Sequence, residues 1–439
     1  MKSDLSTKNF EESRHYLAGG VSSSLRSSMK PVPLFATSGK GPRLRDVDGN
    51  EYVDYLLAYG PLILGHCHPQ LTKDLKSQME KGYTYGLQHA EEIKLAKLLV
   101  DIIPSAERVT FSGSGTEAVM LALRLAKSFT KKSKVVRFHG HYHGWSDSIF
   151  TSFPSADMNN KYSSQGGNLT VPGTSGQSEK SLEDIIVLPW NNTEALEETL
   201  YARRNEIAAV ITEPVMCNSG CILPKEGYLE RMRELTEELG IILIFDEVIT
   251  GFRLALGGAQ ERFKIKPDLT TMGKAIAGGI PLSAVGGRKD IMALIEEGKV
   301  NHLGTLNGNP IAAAAAISTI SILSAQHGAV FDRMERTAVD LAEGLKNLLE
   351  KHEIKGVVNQ IGPVFHLMFT NGDVVTSFDE FMASDTKAYQ TFAEKMLSEG
   401  VLIRPNGLWY ISTEHSNQDV KYTLEAADRA LASLVKEYS

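Results

Sequence analysis

Short, unbroken apolar runs alternate with longer amphipathic stretches through the middle of the chain. The runs at 108–111, 135–138, 185–188, 207–212 and 241–245 are rich in β-branched residues, which predicts strands buried on both faces. Between several of them, 117–129, 193–203 and 227–239 repeat apolar residues at helical spacing. That alternation predicts an α/β fold, a mostly parallel sheet wrapped by helices, with functional groups gathered beyond the C-terminal strand ends. The pattern changes toward both termini. Residues 43–55 read as a hairpin turning at Asp48-Gly49, and beyond about 325 amphipathic helices and short strands at 364–369 and 401–404 predict a separate α+β region. The expected division is an N-terminal segment and small subdomain over 1–60, a large domain over 61–324 and a small α+β subdomain over 325–439. The alanine-rich run 311–323 reads as a buried helix, too short to span a bilayer. Residues 159–180, rich in Gly, Ser, Asn and Thr, read as a long loop, either a lid or plain surface.

Composition narrows the classes. With 439 residues, 42% hydrophobic and 23% charged, the chain is an ordinary globular protein large enough for subdomains. A net charge of -7 without any basic stripe argues against nucleic acid as a partner. The first twelve residues lack the apolar core of a secretory signal, so the expectation is a cytoplasmic protein with no membrane partner. Three cysteines make no disulfide framework, and they read as reduced, mostly buried thiols. Cys217 with Cys221, Cys67 between His66 and His68, and the alternating His139, His141 and His143 raise a metal site. No second ligand pair completes a set, so no metal is expected. If 139–143 is strand, its histidines share one face, and a strand end entering a cofactor pocket accounts for them equally well.

The chemistry-bearing residues fall at predicted strand ends. The run 241–245 delivers Asp246, a carboxylate that emerges from the core and needs a cationic partner. Lys274 follows among small residues in Gly273-Lys274-Ala275-Ile276-Ala277-Gly278-Gly279, where a bulky group can approach the backbone. A carboxylate of this kind can hold the protonated ring nitrogen of pyridoxal phosphate, and such a lysine can form a Schiff base with its aldehyde. Phe111-Ser112-Gly113-Ser114-Gly115-Thr116-Glu117 turns a strand into a helix, whose free amides and dipole suit a phosphate, with Ser114 and Thr116 adding hydroxyls. The same spacing fits a dinucleotide fingerprint, making a nicotinamide oxidoreductase the rival. That rival requires an acid after the next strand, where this chain has His139-Gly140. Tyr142, between glycines 140 and 144, can stack on an electron-poor ring or simply pack. Glu213 can order neighbouring groups and Asn218 can donate to a phenolic oxygen.

These motifs, with Gly19-Gly20-Val21, the block Tyr59-Gly60-Pro61-Leu62-Ile63-Leu64-Gly65-His66, Phe245-Asp246-Glu247-Val248 and Gly304-Thr305-Leu306-Asn307-Gly308-Asn309-Pro310, resemble the class III, fold-type I aminotransferases, within them the glutamate-1-semialdehyde aminomutase branch. The resemblance implies a pyridoxal 5'-phosphate cofactor and a large domain with a mostly parallel seven-stranded sheet flanked by helices, plus a small α+β domain from both termini. It makes Lys274 the Schiff-base lysine, Asp246 the ring-nitrogen partner, Val248 the apolar support and Tyr142 the stacking ring. Ser114, Gly115 and Thr116 would hold the phosphate. Thr305 would reach the phosphate of a neighbouring subunit, so the expected unit is a homodimer with its active site at the interface. Arg26 falls where the branch places an arginine for the substrate carboxylate, a bidentate pairing. Departures stand beside these matches: Gly113 where the branch usually has asparagine, Tyr59, a candidate substrate residue, where it has tryptophan, and 404–412 where it has a glutamate-containing loop. Trp409 and Tyr410 there mean either a more apolar pocket or packing. The first expectation is therefore an aminotransferase exchanging an amino group between a β- or ω-amino acid and a 2-oxo acid. The alternative is the aminomutase, which returns the amine to the adjacent carbon of one substrate.

Overall fold

The computed structural model describes residues 1–153 and 170–438. The part of the expected loop 159–180 before residue 170 lies outside them. Two compact units divide the chain: one comprises Gln70–Phe331 with Thr376–Phe381, the other Met1–Pro69, Asp332–Val375 and Met382–Ser439.

The larger unit is built on seven strands: β1 (Arg108–Ser112), β2 (Lys134–Phe138), β3 (Ile185–Leu188), β4 (Ile207–Thr212), β5 (Ile242–Glu247), β6 (Leu269–Met272) and β7 (Ser283–Gly287). Their order is β1-β7-β6-β5-β4-β2-β3. Only β7 runs antiparallel to its neighbours, and the other pairings are parallel, so the mostly parallel seven-stranded sheet is present. The central β4 and β5 are buried at every position, which is why their sequences are continuous apolar runs rather than alternating ones. β6 and β7 have no such run. Their Thr270, Thr271 and Ser283 are buried polar residues, and a Cβ on Gly287 would lie 2.4 Å from the Leu269 side chain; the strands pair because glycine permits the approach.

The helix Gly115–Thr130 buries Ala118, Val119, Leu121, Ala122, Leu125 and Ala126 in the cluster that also holds Val135, Ala209, Ile211, Ile244 and Val285. The alanine-rich run forms Pro310–Ser324, capped by the Asn309 side chain and opened by Pro310 at its start. Its Ala312, Ala313, Ala316, Ile320 and Leu323 are fully buried, as a core helix requires.

In the smaller unit, residues from both ends of the chain share a sheet. The hairpin of Arg43–Asp46 and Glu51–Asp54 pairs antiparallel, and Val401–Leu402 joins Glu51–Asp54 in parallel. A second sheet contains Gly356–Ile361, Val364–Phe369 and Leu408–Tyr410. Trp409 is fully buried, stacks on Phe365 at 5.1 Å and donates its Nε1–H to Tyr389 Oη at 2.9 Å. Trp409 and Tyr410 are therefore core residues of this unit, and packing is the correct choice between the two meanings given above.

Candidate active site

Five strand ends of the larger unit converge on one constellation. At the end of β1, Ser114 caps the helix Gly115–Thr130: its Oγ accepts from the Glu117 N–H at 3.3 Å and donates to the Glu117 carboxylate at 2.9 Å. This serine–glutamate pair three residues apart occupies one amide of the first turn, leaving those of Gly115 and Thr116 unsatisfied by the helix itself. Ser283 Oγ donates to the Ser114 carbonyl at 2.7 Å and fixes the turn.

β2 ends at Phe138, so His139, His141 and His143 lie beyond the strand rather than on one strand face. All three are buried and each faces different partners. His143 Nδ1 meets Asp246 Oδ2 at 2.7 Å, His141 Nδ1 accepts from the Glu213 N–H at 3.0 Å, and His139 stacks on Phe378. The segment is pinned by Arg137, fully buried, which donates to the carbonyls of Ile149 at 2.7 Å, Phe138 at 3.3 Å and His141. Burial pushes its guanidinium down to about 10. Tyr142 is half-buried, and its N–H donates to Glu213 Oε1 at 2.6 Å. Gly144 has φ +84°, and a Cβ there would lie 2.6 Å from Thr116 Oγ1, so the loop after β2 packs directly on the phosphate-type turn after β1.

β5 presents Asp246, which is 4% exposed. Besides His143, it accepts from the Val248 N–H at 3.2 Å and from Thr271 Oγ1 at 3.1 Å. Its neighbour Glu247 is saturated by the amides of Ala259 and Gln260, Gln260 Nε2 and Thr250 Oγ1, a structural role. Thr271 sits opposite Asp246 in register, and Lys274 follows three residues later with φ 43°, a left-handed conformation costly for a lysine. Val248 bridges the parts: a Cβ on Gly115 or Gly273 would lie 3.2 or 3.3 Å from its methyl groups. β4 ends in Glu213, whose carboxyl is pushed up to about 8 by burial and by the Asp246 charge, against the opposing pull of the Tyr142 N–H, Lys274 and Arg137. Asn218 is buried in the following turn, closed by paired Met216 and Ile222.

Ser114, Gly115, Thr116, Tyr142, Glu213, Asp246, Val248 and Lys274 thus form one linked set, and Asn218 sits in the turn after the Glu213 strand end. Thr305 is exposed on the turn 302–309, which His302 ties to β1 through Thr110 at 3.1 Å and to Asn307 at 3.2 Å. Arg26 and Tyr59 belong to the smaller unit. There they line a cavity of about 450 Å³ with Ser22, Met29, Asp54 and His66. Tyr59 Oη donates to the Leu25 carbonyl at 2.8 Å, and the Arg404 guanidinium lies 5.6 Å from its ring centroid. Leu57, Ala58 and Tyr59 are three successive left-handed residues, a strained turn that aims the ring. Sequence reasoning placed His143 among three histidines entering a cofactor pocket but not its pairing with Asp246, and it missed Arg137 and Thr271. Of the cysteines, Cys217 and Cys221 are buried but Cys67 is exposed. Among the described residues no group of three or more His, Cys, Asp or Glu is arranged to hold a metal ion.

The donor set fits pyridoxal phosphate. An open helix N-terminus with serine and threonine suits a dianion, a buried carboxylate suits a cationic ring nitrogen, and a primary amine on a glycine-lined turn suits an aldehyde. Comparison with known proteins agrees. The family model for class-III aminotransferases matches residues 25–417. A glutamate-1-semialdehyde 2,1-aminomutase of Persephonella marina is 43% identical over 99% of this chain and 100% of its own length. Among solved structures, an omega-transaminase from Sphaerobacter thermophilus superposes with TM-score 0.89 at 30% identity, covering 98% of this chain and 97% of that one. A glutamate-1-semialdehyde-aminomutase from Pseudomonas aeruginosa PAO1 in complex with PMP superposes with TM-score 0.88 at 25% identity, covering 98% and 94%.

Proposed function

This chain belongs to the class III aminotransferases and is a pyridoxal-phosphate-dependent enzyme of fold type I, and from that premise we propose that it is a glutamate-1-semialdehyde 2,1-aminomutase. It would move an amino group between adjacent carbons of one carboxylate-bearing substrate, giving 5-aminolevulinate. The observation that carries this reading is the end-to-end similarity to the Persephonella aminomutase at 43% identity. It reverses the order in which the sequence motifs alone ranked the two activities. The burial of Trp409 in the core of its own unit removes one argument for an apolar substrate pocket.

Pyridoxal phosphate, when bound, supplies an electron sink for breaking a C–H bond beside an amino group. The residues divide the remaining work. Ser114, Gly115 and Thr116 bind the phosphate, with Thr305 serving the partner subunit. Asp246 holds the ring nitrogen's proton in place, and Val248 with Tyr142 supplies the apolar walls. Asn218 donates to the phenolic oxygen, and Glu213 orders the Tyr142 backbone. Lys274 Nζ takes the proton from the substrate carbon and returns it. Arg26 pairs with the substrate carboxylate, with Tyr59 beside it. A homodimer is supported by the exposed Leu303 and Leu306 flanking Thr305, at 83% and 61% exposure, since apolar side chains so placed fit an interface.

A second reading is an aminotransferase for β- or ω-amino acids and 2-oxo acids. It is favoured by Gly113 and Tyr59, and by the higher identity to the solved omega-transaminase than to the solved aminomutase. The deciding experiment supplies purified, cofactor-loaded protein with glutamate 1-semialdehyde and no other donor or acceptor. Many turnovers of 5-aminolevulinate are expected. Retained cofactor colour with no product, together with turnover of a β-amino acid and pyruvate, would establish the second reading instead.

A further inference from the structure

Three polar atoms in the cluster behind Asp246 are buried without a hydrogen-bond partner among the described residues: His141 Nε2, His143 Nε2 and Trp190 Nε1. Their side chains are at most 3% exposed. The rings are neighbours, with the His141 centroid 5.7 Å from that of His143 and 4.7 Å from that of Trp190. A buried polar atom left unpaired is costly, and native interiors rarely leave one so.

The outer hydrogen bonds dictate what each inner atom offers. The Glu213 N–H donates to His141 Nδ1, so that nitrogen carries no proton and the neutral ring carries it on Nε2. His143 Nδ1 faces the Asp246 carboxylate, so it donates, and the neutral ring leaves Nε2 a bare acceptor. Burial pushes both imidazoles below their ordinary value. For His141 the effect is strengthened by His143, Arg137 and His139; for His143 burial prevails over the pull of Asp246. Both rings are therefore neutral at physiological pH. The Trp190 indole only donates. These three atoms are two donors and one acceptor, and a single water, accepting two hydrogen bonds and donating one, would match all three. Three partners is the usual complement of a buried water.

We propose that His141 is a positioning residue for Asp246: through a buried water shared with Trp190, it holds the proton of His143 on Nδ1, so that His143 donates to the Asp246 carboxylate and fixes its orientation. If His143 carried its proton on Nε2, a lone pair would face the Asp246 carboxylate and the contact would turn repulsive, displacing the carboxylate from its place. The charged and titratable groups around the pair are Arg137, His139, Glu213 and Lys274. The proposal rests on the role of Asp246 given above.

The test uses cofactor-loaded protein and two substitutions. His141→Gln keeps an acceptor for the Glu213 N–H and a donor for the water; His141→Phe keeps neither. A high-resolution crystal structure of the unaltered protein is expected to show one water touching all three atoms. Nitrogen NMR is expected to show His143 protonated on Nδ1. In His141→Phe that tautomer should become mixed and cofactor affinity should fall on the order of tenfold, with both restored in His141→Gln. A dry cluster, or an unchanged His143 tautomer in His141→Phe, overturns the proposal while leaving the cofactor reading intact. Unaltered cofactor affinity and colour in Asp246→Asn would instead remove the reading on which it stands.

Discussion

Replacing Glu213 with glutamine tests the electrostatics of the site without disturbing its shape. Glu213 is 3% exposed and its carboxyl is pushed from 4.5 up to about 8, first by burial and then by Asp246. Because the folded state holds this proton more tightly than the unfolded chain does, the stabilisation is fully present below about pH 4.5 and is lost as pH rises through about 8. Within that window each pH unit removes up to about 1.4 kcal/mol, and the whole window corresponds to at most roughly 5 kcal/mol. Glutamine keeps an amide oxygen to accept the Tyr142 N–H, now held at 2.6 Å, but it does not titrate. Urea unfolding of both proteins, stripped of cofactor so that its charge does not intrude, is measured between about pH 6 and about pH 8. The unaltered protein should lose stability relative to Glu213→Gln by about 1 kcal/mol per unit. Parallel pH profiles for the two proteins would refute the reasoning, since they would mean that Glu213 is already ionised in the fold.

Other substitutions probe other parts of the site. Lys274→Ala should abolish the absorbance band of the bound cofactor and lower turnover by at least about a thousandfold, read by spectrophotometry and steady-state kinetics. Arg26→Ala should raise KM for a carboxylate substrate by about tenfold or more, with a smaller change for an amine lacking the carboxylate; equal effects on both would separate Arg26 from carboxylate binding. Gly144→Ala forces a Cβ to 2.6 Å from Thr116 Oγ1 at φ +84°, and should cost about 1–3 kcal/mol in unfolding free energy and weaken cofactor binding. Ser114→Ala removes the helix cap and should lower unfolding stability by about 1 kcal/mol, an effect that denaturant titration resolves.

What was legible in the sequence followed from the range over which each signal acts. The strands β1 to β5 announced themselves through local apolar runs, although of these only β4 and β5 are buried at every position while β1 and β3 are partly exposed. β6 and β7 did not, because Thr270, Thr271 and Ser283 are buried polar residues and Gly287 is required by the close approach of Leu269 on the neighbouring strand and of the Asp268 carbonyl before it, facts that no window of one strand contains. The same division runs through the site. Asp246 and Lys274 could be singled out because residue type and immediate neighbours suggest the chemistry proposed for them. The pairing of His143 could not, since it is made with an acid 103 residues away, and Arg137 acts on carbonyls that only the folded loop brings to it. Trp409 shows the converse: as a residue type it suggested a pocket wall, yet its partners Phe365 and Tyr389 make it core. The residues proposed to hold the cofactor sit in short motifs at strand ends, which can be read without the rest of the chain. The residues proposed to meet the substrate, Arg26 and Tyr59, instead share a cavity whose lining comes from several stretches of the chain, with Arg404 over the Tyr59 ring. That is why sequence motifs reached the cofactor chemistry at once but ranked the two amino-transfer activities in the order that full-length similarity reverses.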